Sequence, residues 1–274
     1  MTSVFTQKCQ DDTVTLVEIN GSSAGIEVVH RAATWNYGHY TSMQVRDGAV
    51  AGLSLHLARL RDGSAALFPS AAFDSAAVPS LIGHALSGRR DASVRVAVLP
   101  HKDFEGTDVM VSVSDPVPDD DRPPLRVRSV AYRRELPHVK HMATMGLTYH
   151  TLAARAAGFD DVLFLGDGGL VLEGSVWNAV FFDGEAVVWP EAPMLEGITM
   201  QVLRSRLEAL GISSVSRPVL AGDLAGLRGA ATTNSHYPGQ PITSVDDVAF
   251  PGSEELSALL RNAWKSVTWE PLLD

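Results

Sequence analysis

Apolar and polar positions mix through "YTSMQVRDGAV", Tyr40 to Val50, until Asp47-Gly48 interrupts them. That pair favours the left-handed dihedrals of a tight hairpin turn, so the stretch predicts strand, turn, strand. In "LSLHLARLRDGSAALF", Leu53, Leu57 and Leu60 are spaced by four and three, the stripe of an amphipathic helix. "ASVRVAVLP" predicts a further strand, and the strands here are arranged as hairpins rather than strand-helix-strand crossovers. The pattern stops at "DPVPDDDRPP", where four prolines and four aspartates keep the backbone out of helix and sheet. Beyond it, "TYHTLAARAAGFDD" predicts a helix stopped by a glycine. Two hairpins are then expected from "DVLFL", "GDGG", "LVLEGSVWNAVFF", "DGE" and "AVVWP", with Pro190 ending the series. "GITMQVLRSRLEALGI" carries Met200, Leu203, Leu207 and Leu210 at helical spacing, with Gly211 as its stop. The fold class expected is α+β, in a smaller N-terminal domain (1–115), a linker (116–124) and a larger C-terminal domain (125–274).

Composition narrows the function. A chain of 274 residues with 45% hydrophobic content can bury a sizeable core. A net charge of -10, with no block of basic residues against it, argues against nucleic acid or an anionic membrane as partner. The start "MTSVFTQKCQDD" lacks a signal-peptide pattern and no run of eighteen apolar residues occurs, so a soluble, cytoplasmic protein is expected. Cys9, the only cysteine, reads as an incidental thiol. His138, His141 and His150 lie close together, but without HExxH or an acidic residue at ligand spacing no metal site is expected. "GDGG" opens no helix, so it is not a phosphate loop, and no GxSxG marks a hydrolase nucleophile.

Four features remain. Lysines occur only at Lys8, Lys102, Lys140 and Lys265, and Lys140 precedes an apolar segment in "LPHVKHMATM". Partial desolvation there would lower its pKa and free the amine for a Schiff base; a solvated surface lysine is the competing reading. Glu173, among apolar neighbours, needs a cationic or proton-donating partner, such as a protonated pyridine nitrogen. Gly197, Ile198 and Thr199 open a helix whose free N–H groups can receive an anion, or form an ordinary cap. Arg59, on the first striped helix, could reach a phosphate with a forked pair of hydrogen bonds, or be solvated. Amine, carboxylate, arginine and helix N-terminus together suit pyridoxal 5'-phosphate.

In this order the motifs resemble the class IV aminotransferases, the fold-type IV pyridoxal-phosphate enzymes that include branched-chain and D-amino acid aminotransferases and aminodeoxychorismate lyases. The resemblance runs from about Tyr37 to Asp246 and is densest from Lys140 to Met200. "LHLARL" resembles the family's "EHLxRL", "LEGSVWNAVF" its "xEGxxxNxF", and "LEGITM" its "LPGITR". The resemblance implies Lys140 as covalent anchor, general base and acid, Glu173 at the pyridine nitrogen, and Arg59 with Gly197, Ile198 and Thr199 at the phosphate. "ATTNS" places further phosphate contacts on Thr233 and Asn234, with Thr232 or Ser235 as substitutes. It further implies two domains with the cofactor site between them, a homodimer, and small-molecule partners: an amino donor and a keto acid acceptor.

The expected activity is amino transfer between an amino acid or amine and a 2-keto acid. A lyase of the same fold and a catalytically silent cofactor binder are the alternatives. Substrate positions depart from the family's patterns. Arg95 in "SVR" is the candidate for a substrate carboxylate, with Ser93 where branched-chain enzymes carry tyrosine. Tyr37, His39 and Tyr40 are candidates to line the pocket. An Arg-x-His pair has no counterpart unless His101 contributes, and Trp177 either narrows the pocket or packs in the core.

Overall fold

The computed structural model of the protein describes residues 14–273, so Lys8 and Cys9 lie outside the described residues. The first half of the chain forms β1 (Val14–Ile19), β2 (Ser22–Ser23), α1 (Ile26–Thr34), β3 (His39–Arg46), β4 (Ala49–Val50), α2 (Leu53–Leu67), α3 (Val78–Leu86), β5 (Ala92–Pro100) and β6 (Thr107–Ser114). The second half forms β7 (Leu125–Ala131), α4 (Met145–Ala156), β8 (Asp161–Leu165), β9 (Val171–Gly174), β10 (Asn178–Phe182), β11 (Val187–Pro190) and α5 (Ile198–Ala209). It continues with β12 (Ser214–Arg217), β13 (Gly229–Thr233), β14 (Gln240–Val245), β15 (Val248–Ala249), α6 (Ser253–Lys265) and β16 (Glu270–Pro271).

The strands build two sheets. The first has the order β16-β4-β3-β5-β6-β1-β2, and every pairing in it is antiparallel. Asp47 and Gly48 turn β3 into β4 with φ of 49° and 75°, the left-handed pair expected of a tight hairpin. α2 buries Leu53, Leu60 and Leu67 against this sheet beside Val45, Val94 and Val96, with Leu57 packed at the edge of that core. Residues 115–124 carry no regular element, since their prolines lack the N–H that a ladder requires.

β16 departs from a clean division at the linker. After α6 the chain returns to the first sheet, pairing Glu270 with Val50 and Pro271 with Ala49, and it places Leu272 in the first core. The Glu270 carboxylate also accepts a hydrogen bond from the Ser54 backbone N–H at 3.2 Å, a charge of the right sign at the start of α2.

The second sheet has the order β12-β11-β10-β13-β14-β7-β8-β9, with β15 paired to β14. It mixes parallel and antiparallel pairings. α5 and α6 share a core with β10, β11 and β13, around Met200, Leu203, Leu207, Leu256 and Leu260. Leu210, expected on the apolar stripe of α5, is 45% exposed. It is the C-cap residue of that helix, where the turn to Gly211 swings it out of the stripe.

The sequence predicts one strand over "LVLEGSVWNAVFF"; the structure breaks it between Gly174 and Asn178. The Gly174 N–H donates to the Trp177 carbonyl at 2.8 Å and closes a tight turn. Both expected hairpins form, as β8-β9 and β10-β11. β9 ends the sheet order while β10 stands third from its other end. A linker this short reaches only about 14 Å, at ~3.5 Å per residue, so the sheet must curl until those strands approach.

Gly174 is sterically required at that turn, because a Cβ there would lie 2.0 Å from the Trp177 ring. Gly174→Ala should destabilise the fold by about 1–3 kcal/mol, lowering the urea midpoint at constant slope. Gly222→Ala, with nothing within 4 Å of its Cβ, should change stability by less than about 0.5 kcal/mol in the same measurement.

Candidate active site

A cavity of about 330 Å³ is lined from both sheets. β3 explains which of its residues take part. Its side chains alternate strictly, with His39, Thr41, Met43 and Val45 buried. Tyr40, Ser42, Gln44 and Arg46, on the opposite face, all line the cavity, and of the buried face only Met43 also borders it. Tyr40 therefore stands where the sequence places it, whereas His39 does not. The His39 ring bonds Ser64 Oγ at 2.9 Å and stacks on Phe68, inside the first core.

Lys140 enters the cavity from a segment docked onto the start of β3. The Tyr40 N–H donates to the Lys140 carbonyl, and the Met142 N–H to the Gly38 carbonyl, each at 2.9 Å. Lys140 Nζ lies 5.0 Å from the centre of the Tyr40 ring. Burial pulls its pKa down to about 7; the Arg59 and Arg134 charges push the same way and Glu173 opposes them. Such an amine is partly unprotonated at neutral pH, as a nucleophile requires. His138 is exposed. His141 lines the cavity, but its Nε2 bonds the Glu135 carbonyl at 2.9 Å, so it braces the loop that carries Lys140.

Glu173 occupies the buried end of β9. Its Oε1 accepts from Arg134 Nη1 at 3.3 Å and its Oε2 from the Leu195 N–H at 3.4 Å. Burial pushes its pKa up, while the Arg134 charge and hydrogen bond pull it back. Sequence reasoning misses Arg134. It follows Arg133 in a polar stretch, and nothing there marks it as a residue whose exposure falls to 6%.

The helix start expected to receive an anion is in place. α5 begins at Ile198 with Gly197 as N-cap and no side-chain cap, so its first N–H groups have no intrahelical acceptor. Asn178, another residue that the sequence leaves without a role, sets that helix start in position. It donates to the Leu195 carbonyl at 2.7 Å and accepts the Gly197 N–H at 2.9 Å. A Cβ on Gly197 would lie 2.1 Å from Asn178 Oδ1, so only glycine permits this brace. Arg59 reaches across from α2 and donates to the Glu196 carbonyl at 2.6 Å. Burial lowers its pKa to about 10, which still leaves it charged at neutral pH.

Thr199, Thr233 and Asn234 also border the cavity. The Thr199 hydroxyl donates to the Asn234 carbonyl at 2.8 Å. Asn234 Oδ1 is occupied by the N–H groups of His236 and Tyr237, so this side chain shapes its own loop. Thr233 Oγ1 is buried and has no hydrogen-bond partner among the described residues. On the alternating strand β13 it is Thr233, not Thr232, that reaches the cavity.

Three expected substrate residues lie elsewhere. Tyr37 is outside the cavity wall: its hydroxyl donates to the Leu67 carbonyl at 2.8 Å and its ring packs with Trp35 and Phe104. It precedes β3, so the alternation that turns Tyr40 inward does not act on it. Arg95 pairs with Ser42 on the same sheet face and lies over the Tyr40 ring at 4.7 Å, but it is exposed and beside the cavity. His101 stands 3.5 Å from Asp108, beyond the far end of β5. Trp177 lines the cavity and is anchored by its Nε1, which donates to Asp161 at 3.1 Å.

The deep part of the cavity joins Arg59, Arg134 and Lys140 with one buried carboxylate, Glu173. Two or three cations with one anion, removed from water, call for a negatively charged occupant. The orphaned Thr233 hydroxyl and the uncapped helix fit its anionic end, and the Lys140 amine fits an aldehyde. A group with phosphate, aldehyde and a protonatable ring matches that donor set.

The family model described as amino-transferase class IV matches residues 38–245. No curated protein matches the sequence. A solved T.th. branched-chain amino acid aminotransferase, complexed with N-(5'-phosphopyridoxyl)-L-glutamate, is similar with a TM-score of 0.82 at 19% identity, covering 92% of this chain and 93% of that one. A fold IV-transaminase from Curtobacterium pusillum gives 0.77 at 22% identity, with 87% and 89% covered. A hypothetical aminotransferase from Mycobacterium tuberculosis, in its PLP-bound form, gives 0.74 at 19%, with 86% and 90% covered. At these identities the structures show a shared fold.

The Lys140 shift has a thermodynamic signature in ligand-free protein. Unfolded, the amine keeps its proton up to its usual 10.5; folded, it releases it near 7. The unfolded state then binds more protons between these values, so this group adds stability as pH rises across that window. The stability of the native chain minus that of Lys140→Met should climb from pH 7 to pH 10 in urea titrations. A flat difference would count against a buried amine.

Proposed function

Because the chain belongs to the class IV aminotransferases, we propose that it is a pyridoxal 5'-phosphate-dependent transaminase, moving an amino group between an amino acid or amine and a 2-keto acid. The observation that carries this reading is one cavity joining a neutralisable amine, Lys140, to a buried carboxylate, Glu173, beside a phosphate-suited helix start. When bound, the cofactor supplies an aldehyde that condenses with amines and a ring that draws electrons from the substrate Cα.

The chain's own groups have separable tasks. The first N–H groups of α5, Arg59, Thr199 and Thr233 bind the phosphate and fix the long axis of the cofactor. Glu173 accepts the ring N–H and keeps that nitrogen protonated. Lys140 Nζ would hold the aldehyde until the substrate amine displaces it; the freed amine would then take the proton from the substrate Cα and deliver it to the former aldehyde carbon. Its pKa of about 7 suits both directions of transfer at neutral pH. Tyr40 and Trp177 border the same space and limit water around Lys140. Arg46 and Arg122 also line the wall, and with Arg95 over the Tyr40 ring they are further cations for a substrate carboxylate.

We also propose a homodimer. Met145, Tyr149 and Leu152 are 83%, 66% and 58% exposed, and at this spacing they share one face of α4. A second copy would cover that stripe. Light scattering should give twice the monomer mass, and Tyr149→Glu should shift it toward the monomer.

Purified protein should be yellow, and borohydride should fix the cofactor irreversibly on Lys140, located by peptide mass spectrometry. An adduct on Lys102 or Lys265 would overturn the assignment. An amino donor alone should convert the bound cofactor to its aminated form, and a keto acid should restore it. Release of pyruvate from aminodeoxychorismate with no keto acceptor would instead support the lyase of the same fold.

A further inference from the structure

Arg134 is the least expected group in the cavity. Its side chain is 5% exposed and that of Glu173 is 10%. One guanidinium makes three hydrogen bonds. Nη1 donates to Glu173 Oε1 at 3.3 Å and to the Pro137 carbonyl at 3.4 Å. Nη2 donates to the Val139 carbonyl at 2.8 Å. The carbonyls of Pro137 and Val139 belong to the loop that presents Lys140. That loop includes Leu136 at φ 44°, a left-handed conformation unusual for leucine. From the other side the loop is braced by His141 on the Glu135 carbonyl. The loop is thus folded round the guanidinium, and the same guanidinium touches the carboxylate on β9.

We propose that Arg134 is a positioning residue: it fixes the Glu173 carboxylate and the Lys140 loop relative to each other, and supplies the counter-charge that keeps Glu173 an anion. The part of this that concerns the cofactor rests on the reading of the site given above. In pyridoxal phosphate the aldehyde carbon and the ring nitrogen lie at opposite ends of the ring. Lys140 and Glu173 must therefore be held at a set separation, and an arginine bonded to both supporting elements does this without touching the reacting atoms. The charges facing Glu173 are Arg134 and Lys140, with the Leu195 N–H as the third contact. Arg59 and Arg95 act on Lys140 rather than on Glu173. Lys140 loses charge near neutral pH, so Arg134 is the permanent partner.

A double-mutant cycle in ligand-free protein tests the charge. Without the guanidinium, folded Glu173 holds its proton to higher pH, while the unfolded chain releases it at its ordinary value. The folded state of Arg134→Met then binds more protons, and its stability falls as pH rises. Its unfolding constant should increase about tenfold or more from pH 5 to pH 8, and far less when Glu173→Gln is added. The two substitutions should be non-additive by about tenfold. Should Arg134→Met not fold, Arg134→Gln with Glu173→Gln gives the same cycle. Additive effects, with no pH dependence removed by Glu173→Gln, would overturn the proposal.

The loaded protein gives the second readout. Arg134→Met should lower kcat for the donor half-reaction by about a hundredfold, as should Glu173→Gln, with KM nearly unchanged. Arg134→Lys should recover part of that loss, and borohydride should still label Lys140 in each variant. Loss of binding alone, with kcat intact, would also overturn the proposal. Failure of borohydride to label the native chain would sink the cofactor reading and leave the stability cycle to decide Arg134.

Discussion

A carboxylate has been taken out of water inside a curled sheet, and the arrangement around it follows from the need to keep it charged. Glu173 stands at the end of β9, beside the turn where the strand breaks. An anion in that environment is tolerated only with cations or hydrogen-bond donors at contact distance. Arg134 and the Leu195 N–H supply them. The cations then exceed the anions in the same enclosure, and that surplus is what suits the cavity to an anionic ligand.

The two sheets divide the work. The second provides the uncapped helix start, the carboxylate and the lysine loop. The first contributes a wall whose composition is set by strand alternation, together with Arg59 from α2. Neither sheet alone holds the phosphate-suited group, since Arg59 meets the α5 start through the Glu196 carbonyl. Correct docking of one sheet on the other is therefore a condition for the site. The docking of the Lys140 segment onto the start of β3 is part of the same contact.

Much of this is legible in the sequence, for physical reasons that differ by element. α2 and α5 announce themselves by apolar spacing, and the β3-β4 turn by Asp47-Gly48. Lys140, Arg59 and Glu173 stand out because they are scarce or chemically incongruous where they occur. Arg134 is not legible, because an arginine in a polar loop is ordinary until the fold buries it. Asn178 falls within a motif, yet its brace on Gly197 depends on two segments meeting in space. His39 and Tyr40 are neighbours of similar promise, and only the parity of β3 separates them. Tyr37 falls before that parity begins. Asn234 resembles a ligand contact because its amide could serve one, but its oxygen closes its own loop. The break in "LVLEGSVWNAVFF" is hidden because both halves have strand character, and the return of β16 is hidden because two residues carry no periodicity.

That return has a consequence for how the chain is made. β16 and Leu272 complete a sheet and a core begun by residues 14–114. During synthesis from the N-terminus, the first sheet waits with β4 unpaired along one edge until the whole second sheet has been produced. The protein is topologically a sheet with another inserted near its end, so the later sheet is synthesised while the earlier one is unfinished. An exposed strand edge at that stage is a place where nascent chains can pair with each other. The brevity of β4, only two residues, keeps that edge a poor template until Glu270 and Pro271 arrive.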